Sequence, residues 1–193
     1  MESIALVAAG WASGLNAYLT VLILGVSGRL GWAQTPASLQ QSWVLVVAGV
    51  MFALEFVIDK VPLVDSLWDT AHTVVRPVVG GLTGAAIAGA QLGRPAAFAL
   101  AAGLALIGHL TKAGSRLAIN MSPEPFTNIL ASFTEDGIVA ALVPLAIAHP
   151  KIAAVVAIVL AALGVFVVVL VWRLVRTGWR RVRRRFDSAP VPS

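Results

Sequence analysis

Long apolar blocks, separated by proline, glycine or short polar segments, follow one another along the whole chain. The last block has 21 residues without a charge. At about 1.5 Å per residue it is long enough to cross roughly 30 Å of hydrocarbon. Such blocks in series predict an all-α fold, a polytopic transmembrane helix bundle. We predict about six spans: about Ile4–Val26, Trp43–Ile58, about Thr73–Leu92, Pro95–Leu110, about Gly137–Ala148 and Ile152–Trp172.

Two blocks are interrupted in ways that predict broken or re-entrant helices. A Ser-Gly-Leu-Asn segment ending at Asn16 interrupts the first. It either lines a site at a helix break or packs against other helices through small and polar residues, and we favour packing. The polar segment 134–136 separates the fifth block from Phe126–Phe133. This predicts either a re-entrant hairpin or, as we favour, a soluble loop whose Thr134 caps a tilted span.

Composition and charge place the chain at a membrane. Hydrophobic residues make up 59% of the chain, against about 45–50% in soluble domains. The net charge is +5, but seven of the 14 basic residues lie in the last 21 positions. We therefore predict a transmembrane domain over residues 1–172 and a basic cytoplasmic tail over residues 173–193, with the N-terminus cytoplasmic as well if there are six spans.

The tail interleaves arginine with tryptophan, valine and phenylalanine, which is typical of the membrane surface and not of nucleic-acid binding. The residues predicted to contact anionic lipid are Arg173, Arg176, Arg180, Arg181, Arg183, Arg184 and Arg185. We predict no nucleic-acid partner.

The densest polar segment lies around the end of the second block and the start of the third. The first ladder, as we name it, comprises Glu55, Asp59, Asp65, Asp69, His72 and Arg76. Its last four members follow one another at spacings of four, three and four, which places them within roughly 60° of arc on one helix face. Val74 lies nearly opposite that face.

A second ladder, at spacings of three, four and four, comprises His109, Lys112, Arg116 and Asn120. Its cations could neutralise the carboxylates of the first. Because a charged side chain costs at least about 2.5–3.5 kcal/mol at the centre of a bilayer, ladders at membrane depth have to face each other or water. The alternative is that residues 59–65 form a cytoplasmic loop, with Asp65 as an N-cap and Asp69 in the first turn of the helix. Arg76, Lys112 and Arg116 then extend their side chains to the membrane surface and set the topology. We favour capping for Asp65 alone and function for the ladders as a whole.

The carboxylates and His72 could also hold a divalent ion, and His72 could accept a proton. Their spacing matches no well-defined metal site, and no nucleophile arrangement is visible. We therefore predict no metal, no cofactor and no catalytic residue, and we favour a protein that is not an enzyme.

Three segments resemble the bacterial membrane family called domain of unknown function 4126, over most of residues 1–150. They are Ser13-Gly-Leu-Asn16-Ala-Tyr18, the first ladder with Lys60-Val-Pro62, Trp68 and Pro77, and Lys112-Ala-Gly-Ser-Arg116. The resemblance implies a small multi-pass protein of the bacterial inner membrane. It supplies no substrate, and the basic tail lies outside it.

Our leading hypothesis is a small inner-membrane transporter or lipid-handling permease, in which Asn16 and both ladders surround a polar cavity. Its carboxylates and His72 would carry protons, and its cations would hold the phosphate or carboxylate of an anionic or amphiphilic solute. The second hypothesis is a membrane scaffold or assembly factor with structural charge pairs. The third is a metal-dependent intramembrane enzyme. Membrane lipids are the expected partners, with an anionic or amphiphilic solute under the first hypothesis, and the sequence leaves open whether the chain forms a homo-oligomer.

Overall fold

The computed structural model describes residues 4–88, 92–120 and 125–187, and within those ranges it contains helices and their connections, without strands. The helices are α1 Ala5–Leu15, α2 Ala17–Arg29, α3 Ser42–Ile58, α4 Val64–Ile87, α5 Arg94–Asn120, α6 Pro125–Ala148 and α7 Pro150–Asp187, with a 3₁₀ turn over Ala37–Gln40. The prediction of an all-α bundle is confirmed. Three segments are long and apolar enough to cross a membrane: Arg94–Asn120, Phe126–Ala148 and Pro150–Leu170.

The first apolar block is broken in two at Asn16. This residue is extended, with φ −148° and ψ 99°, and its side-chain oxygen accepts a hydrogen bond from the Leu19 amide at 2.9 Å. Asparagine suits such a position because its short side chain caps the next helix. The prediction of a broken helix is confirmed here, although we had favoured simple packing for this segment.

Helix α1 runs inward from the end of the bundle at which α4 ends and α5 begins, which we call the hairpin end. A Cβ added at Gly10 would lie 3.0 Å from Ala101 Cα, and Gly84 of α4 packs on that same alanine. Four residues later, the Gly14 carbonyl accepts a hydrogen bond from Arg76 at 3.2 Å. The contacts of α1 on α5 move from Ala101 at Gly10 to Ala105 and His109 at Gly14. Helix α1 therefore runs parallel to α5, toward the opposite end of the bundle, where α4 begins, which we call the ladder end.

Helix α2 returns to the hairpin end. Tyr18 contacts His72 at the level of the break, whereas Gly25 packs against Leu45, near the start of α3. With 11 and 13 residues, the two arms are about 16 and 20 Å long, about half and two thirds of the hydrocarbon thickness. The two helices therefore form a re-entrant hairpin with its tip at Asn16.

The first block thus does not cross the bundle as one span. Helix α7 runs parallel to α5, because Gly164 packs on Thr111 and Gly114 on Val168. Ala5 and the end of α7 consequently lie at opposite ends of the bundle, in contrast to the expectation that both termini share one side. The reason is the turn at Asn16, which adds a reversal of direction that a count of apolar blocks does not show.

Helix α6 corrects both predictions for the fifth block. It is continuous over 24 residues, and segment 134–136 lies within it rather than at a hairpin turn or an N-cap. The helix can continue because neighbouring helices satisfy its polar side chains: Glu135 pairs with Arg116, and Asp136 accepts from Asn16. Helix α5 likewise extends to Asn120, so that the second ladder belongs to a helix and not to a loop.

Small residues let α1, α4 and α5 approach one another closely. Ala97, Ala101 and Ala105 recur every fourth position on α5 and are fully buried. They meet Gly80 and Gly84 of α4, also four apart. Such repeats allow backbones to pack closely in membranes, where apolar side chains gain nothing by leaving lipid. This contact positions the first ladder against the second.

We predict that Gly108→Ala destabilises the bundle while Gly103→Ala does not. A Cβ at Gly108 would lie 2.5 Å from the Trp11 carbonyl oxygen and 3.2 Å from Gly14 Cα, whereas at Gly103 it would meet nothing within 4 Å. Overpacking of this kind costs about 1–3 kcal/mol. The free energy of unfolding of both variants, measured by denaturant titration in detergent micelles, would test this; equal effects would contradict the close packing of α1 on α5.

Candidate functional site

The two ladders face each other across the interior, between the ladder end and the hairpin tip. Members of both are at most 4% exposed, except Asn120, which is partly buried. Val74, predicted on the opposite face, is 69% exposed. This burial excludes the alternative in which Arg76, Lys112 and Arg116 extend their side chains to the membrane surface. The residues brought together from the prediction are Asn16, Glu55, Asp59, Asp65, Asp69, His72, Arg76, His109, Lys112, Arg116 and Asn120.

Two cations share one carboxylate in the part of the cluster nearest the hairpin tip. Arg76 Nη2 lies 2.6 Å from Glu55 Oε1 and 3.0 Å from Asp69 Oδ1. Lys112 Nζ lies 3.0 Å from the same Glu55 oxygen and also pairs with Asp59. Helices α3, α4 and α5 are therefore connected through a single chain of opposite charges.

Arg116 organises the part of the cluster nearest the ladder end. Its guanidinium contacts Glu135 through Nη2 at 2.7 Å and Nε at 3.3 Å, the two-point geometry that makes arginine–carboxylate pairs strong. Its Nη1 donates to the Asp59 carbonyl at 2.7 Å and also contacts Asn128. Asp65 lies 3.6 Å from the same group.

Asp65 is held from a second side, by Asn120. The Asn120 amide nitrogen donates to Asp65 at 3.0 Å and to the Ser66 hydroxyl at 2.9 Å. Because Asp65 lies in the first turn of α4, its negative charge also interacts favourably with the positive end of that helix dipole. The prediction that Asp65 caps the helix is wrong, because Leu63 is the N-cap of α4 and no side chain makes a capping hydrogen bond there.

The two histidines connect the ladders to uncharged groups. Arg76 Nη1 lies 2.9 Å from His109 Nδ1, and Thr73 Oγ1 lies 3.1 Å from His109 Nε2. Since arginine only donates, Nδ1 accepts, and the proton of a neutral His109 is on Nε2. His72 Nδ1 faces the Trp68 carbonyl at 2.8 Å, and its Nε2 lies 2.8 Å from the Tyr18 hydroxyl.

The hairpin tip rests on this charged cluster. Backbone carbonyls at the end of α1 lose their helical partners at the break, and cations of the ladders replace those partners. Arg76 donates to the Gly14 carbonyl at 3.2 Å, and Lys112 donates to the Leu15 carbonyl at 3.3 Å. The Asn16 amide donates to Asp136 at 2.9 Å.

Sequence reasoning missed several members of the cluster: Tyr18, Asn128, Glu135 and Asp136. We interpreted the acidic pair as the start of a helix, although ionisable residues inside an apolar segment are themselves a signal of a functional interior. Asn128, fully buried, had no such signal, because its environment depends on Arg116.

Carboxylates outnumber cations in this interior. Among the residues that the structure describes, six acidic side chains lie in or against the cluster, and the cations that form ion pairs with them are Arg76, Lys112 and Arg116. Lys60, at the edge, instead donates to the Phe56 carbonyl at 2.6 Å. Because isolated charge is costly in a medium of low polarity, the surplus has to be offset by bound protons or a cation.

Five buried carboxylate oxygens have no hydrogen-bond partner among the described residues: Glu55 Oε2, Asp59 Oδ1, Asp69 Oδ1 and Oδ2, and Asp136 Oδ2. Of these, Asp69 Oδ1 lies 3.0 Å from Arg76 in an ion pair. A pocket of about 210 Å³ between α4 and α5 reaches one of these carboxylates, that of Asp69, past Thr70 and Thr73. In the described ranges no group of three or more acidic or histidine side chains could hold a metal ion. The unpartnered oxygens are therefore candidates for binding protons or a polar solute.

Helix α7 continues without a break through the predicted boundary at Trp172 and ends at Asp187. Arg173 and Arg176 are exposed. The side chains of Arg180, Arg181, Arg183, Arg184 and Arg185 lie outside those that the structure describes, and contact of the tail with anionic lipid stays a prediction.

We predict that Lys112→Met destabilises the protein strongly while Lys151→Met does not. Without the Lys112 ammonium, Glu55 and Asp59 lose a buried cation, and breaking such a buried pair costs about 3–5 kcal/mol. Lys151 is exposed, so we expect a change within about 0.5 kcal/mol. The stability of both variants would be measured as folded yield and as the unfolding midpoint in detergent micelles. Equal stability of the two variants would show that the cluster does not hold the bundle together.

Comparison with known proteins adds a family but no activity. No curated protein and no solved structure matches the chain. A family model described as a domain of unknown function (DUF4126) matches residues 4–170, which include the hairpin, both ladders and α6. The chain therefore belongs to the DUF4126 family, as the resemblance of its motifs predicted.

Proposed function

We propose that this protein is a small proton-coupled permease of the bacterial inner membrane, which moves an anionic or amphiphilic solute through the charged interior beneath the hairpin tip. One observation carries the proposal: buried carboxylates exceed buried cations, and several of their oxygens are unpartnered, around a helix that breaks inside the bundle. Broken helices at ionisable interiors are typical of transporters.

Asp69 is the carboxylate that we assign to proton entry. It lines the pocket between α4 and α5, and one of its oxygens is unpartnered. Its other oxygen pairs with Arg76, which in turn contacts Glu55 and His109. A proton that binds at Asp69 therefore weakens the hold of the carboxylates on Arg76.

This arrangement supplies a way to couple protons to an anion. Arg76 and Lys112 are neutralised by carboxylates that they share through Glu55. When Asp69 or Glu55 is protonated, the guanidinium or ammonium loses an acceptor and can pair with a phosphate or carboxylate of the solute. Protons and solute then favour each other's binding, as coupled transport requires.

The arginine-rich end of α7 supports an orientation with the ladder end toward the cytoplasm. Basic residues near the ends of spans favour that side, and α7 finishes at the ladder end with Arg173 and Arg176 exposed. In this orientation the charged cluster lies in the cytoplasmic half of the bundle and the hairpin enters from the opposite side.

We predict that Asp69→Asn abolishes pH-dependent transport. The purified chain would be reconstituted in liposomes that contain a pH-sensitive dye, and organic phosphates and carboxylates would be added as solutes. Fluorescent anionic lipid would be supplied to the same liposomes from separate vesicles. Asparagine keeps the shape of the side chain but cannot carry the proton, and Glu55 still neutralises Arg76. Solute-dependent proton movement should therefore fall to the level of empty vesicles.

Thr70→Val is the matched control, because Thr70 lines the same pocket while its hydroxyl donates to the Ser66 carbonyl of its own helix. This variant should keep wild-type movement. Movement that persists unchanged in Asp69→Asn would reject the proton role of Asp69.

A scaffold or assembly factor is the second candidate, favoured by the multiple partners of each buried cation. Arg116 alone contacts Glu135, Asn128 and the Asp59 backbone. If the cluster were only structural, substitutions in it would reduce folded yield in proportion to the pairs lost. A variant such as Asp69→Asn, folded to wild-type yield, would then show no further defect.

A further inference from the structure

An apolar groove of about 420 Å³ opens on the side of the bundle, in the half that the charged cluster does not occupy. Its walls are α2, the 3₁₀ turn, α3 and α4. Val47 and Leu82, which line it, are 52% and 59% exposed, whereas Ala48 at its base is buried. Small-molecule sites are typically about 300–1,000 Å³ and mostly apolar.

The groove extends from the hairpin end of the bundle to its middle. Trp43 lies at the outer end, on the first turn of α3, and is 66% exposed. Tyr18 lies at the inner end, just after the break at Asn16, with its hydroxyl bonded to His72. A chain-like ligand in the groove would thus follow the direction of the helices, as lipid chains do.

The outer end carries the groups that accompany a lipid headgroup. Arg29 is exposed and donates to the Ser42 hydroxyl at 3.0 Å, next to Trp43. Trp32, 74% exposed, belongs to the same end of the bundle. Tryptophan is enriched at the headgroup level of membranes, and arginine there attracts phosphate.

We propose that this groove is a binding site for one membrane phospholipid, with an acyl chain between α3 and α4, the chain end at Tyr18 and the phosphate at Arg29. Three observations select a phospholipid: an apolar channel open to the side, its alignment with the helices, and a cation beside tryptophan at its outer end. The site does not depend on the proposed transport, since it uses none of the ion pairs.

Photo-crosslinking tests the site with the full chain in bilayers of phosphatidylcholine that contain phosphatidylglycerol with a diazirine at the end of one acyl chain. After irradiation, mass spectrometry of peptides should find the label concentrated at Tyr18, Ala48 and Val79. Unlabelled phosphatidylglycerol should compete for this labelling to saturation. Label spread over outward residues such as Val50 and Val159 without saturation would show bulk lipid contact and overturn the proposal.

Ala48→Trp fills the base of the groove and should abolish the saturable labelling. Gly49→Trp is its matched control on the same helix, because a Cβ there meets nothing within 4 Å, and labelling should persist. The site would be contradicted if labelling persisted in both variants, or if labelling were lost in both while both remain folded. If Ala48→Trp does not fold, competition by unlabelled phosphatidylglycerol in the unsubstituted chain still tests whether the labelling is saturable.

Arg29→Gln tests the headgroup. We expect the concentration of phosphatidylglycerol needed for half-maximal competition to rise about fivefold, as for the loss of one arginine near a lipid surface. Arg94→Gln should leave it unchanged, because Arg94 is exposed on α5, which contributes no residue to the groove, whereas Arg29 contacts Ser42 beside the lining residue Trp43. A diazirine fatty acid that labels the groove as well as the phospholipid does, with no effect of Arg29→Gln, would reject the phosphate contact and with it the phospholipid.

Discussion

Buried cations and carboxylates hold this bundle in its arrangement. Arg76, Lys112 and Arg116 are each at most 1% exposed and each contact more than one carboxylate. In a medium of low polarity, removal of one partner costs about 3–5 kcal/mol, so the pairs strongly disfavour arrangements in which the helices are displaced. The pairs join α3, α4, α5 and α6, which are distant in sequence, and the register of these helices follows from them.

The same cations make the re-entrant hairpin possible. A helix that ends inside a membrane leaves carbonyl groups without partners, and hydrocarbon offers no donors. Here Arg76 and Lys112 donate to the carbonyls of Gly14 and Leu15. Small residues on α1, α4 and α5 allow the backbones to come close enough for these contacts. Charge pairing and close packing therefore act together, because both are needed to hold the hairpin tip in its position.

The interior has two chemically different halves that meet near the middle of the bundle. The ladder end contains the ion pairs and a surplus of carboxylates, and the hairpin end contains an apolar groove that opens to the side. Tyr18 belongs to both, since it lines the groove and contacts His72. An amphiphilic solute needs both kinds of environment, so the proposed permease and the proposed lipid site are compatible within one protein.

The sequence by itself determined the helical membrane class and most of the charged cluster. Uninterrupted apolar blocks predict helices from local composition, and the three- and four-residue spacings from Asp65 to Arg76 place those side chains on one face whatever surrounds them. Only the tertiary structure decided the rest. Donors and acceptors from other helices decide that Asn16 reverses the chain, that α6 continues through Glu135, and that Asn128 belongs to the cluster. Spacing along one segment contains no information about which distant group will satisfy a polar side chain of that segment.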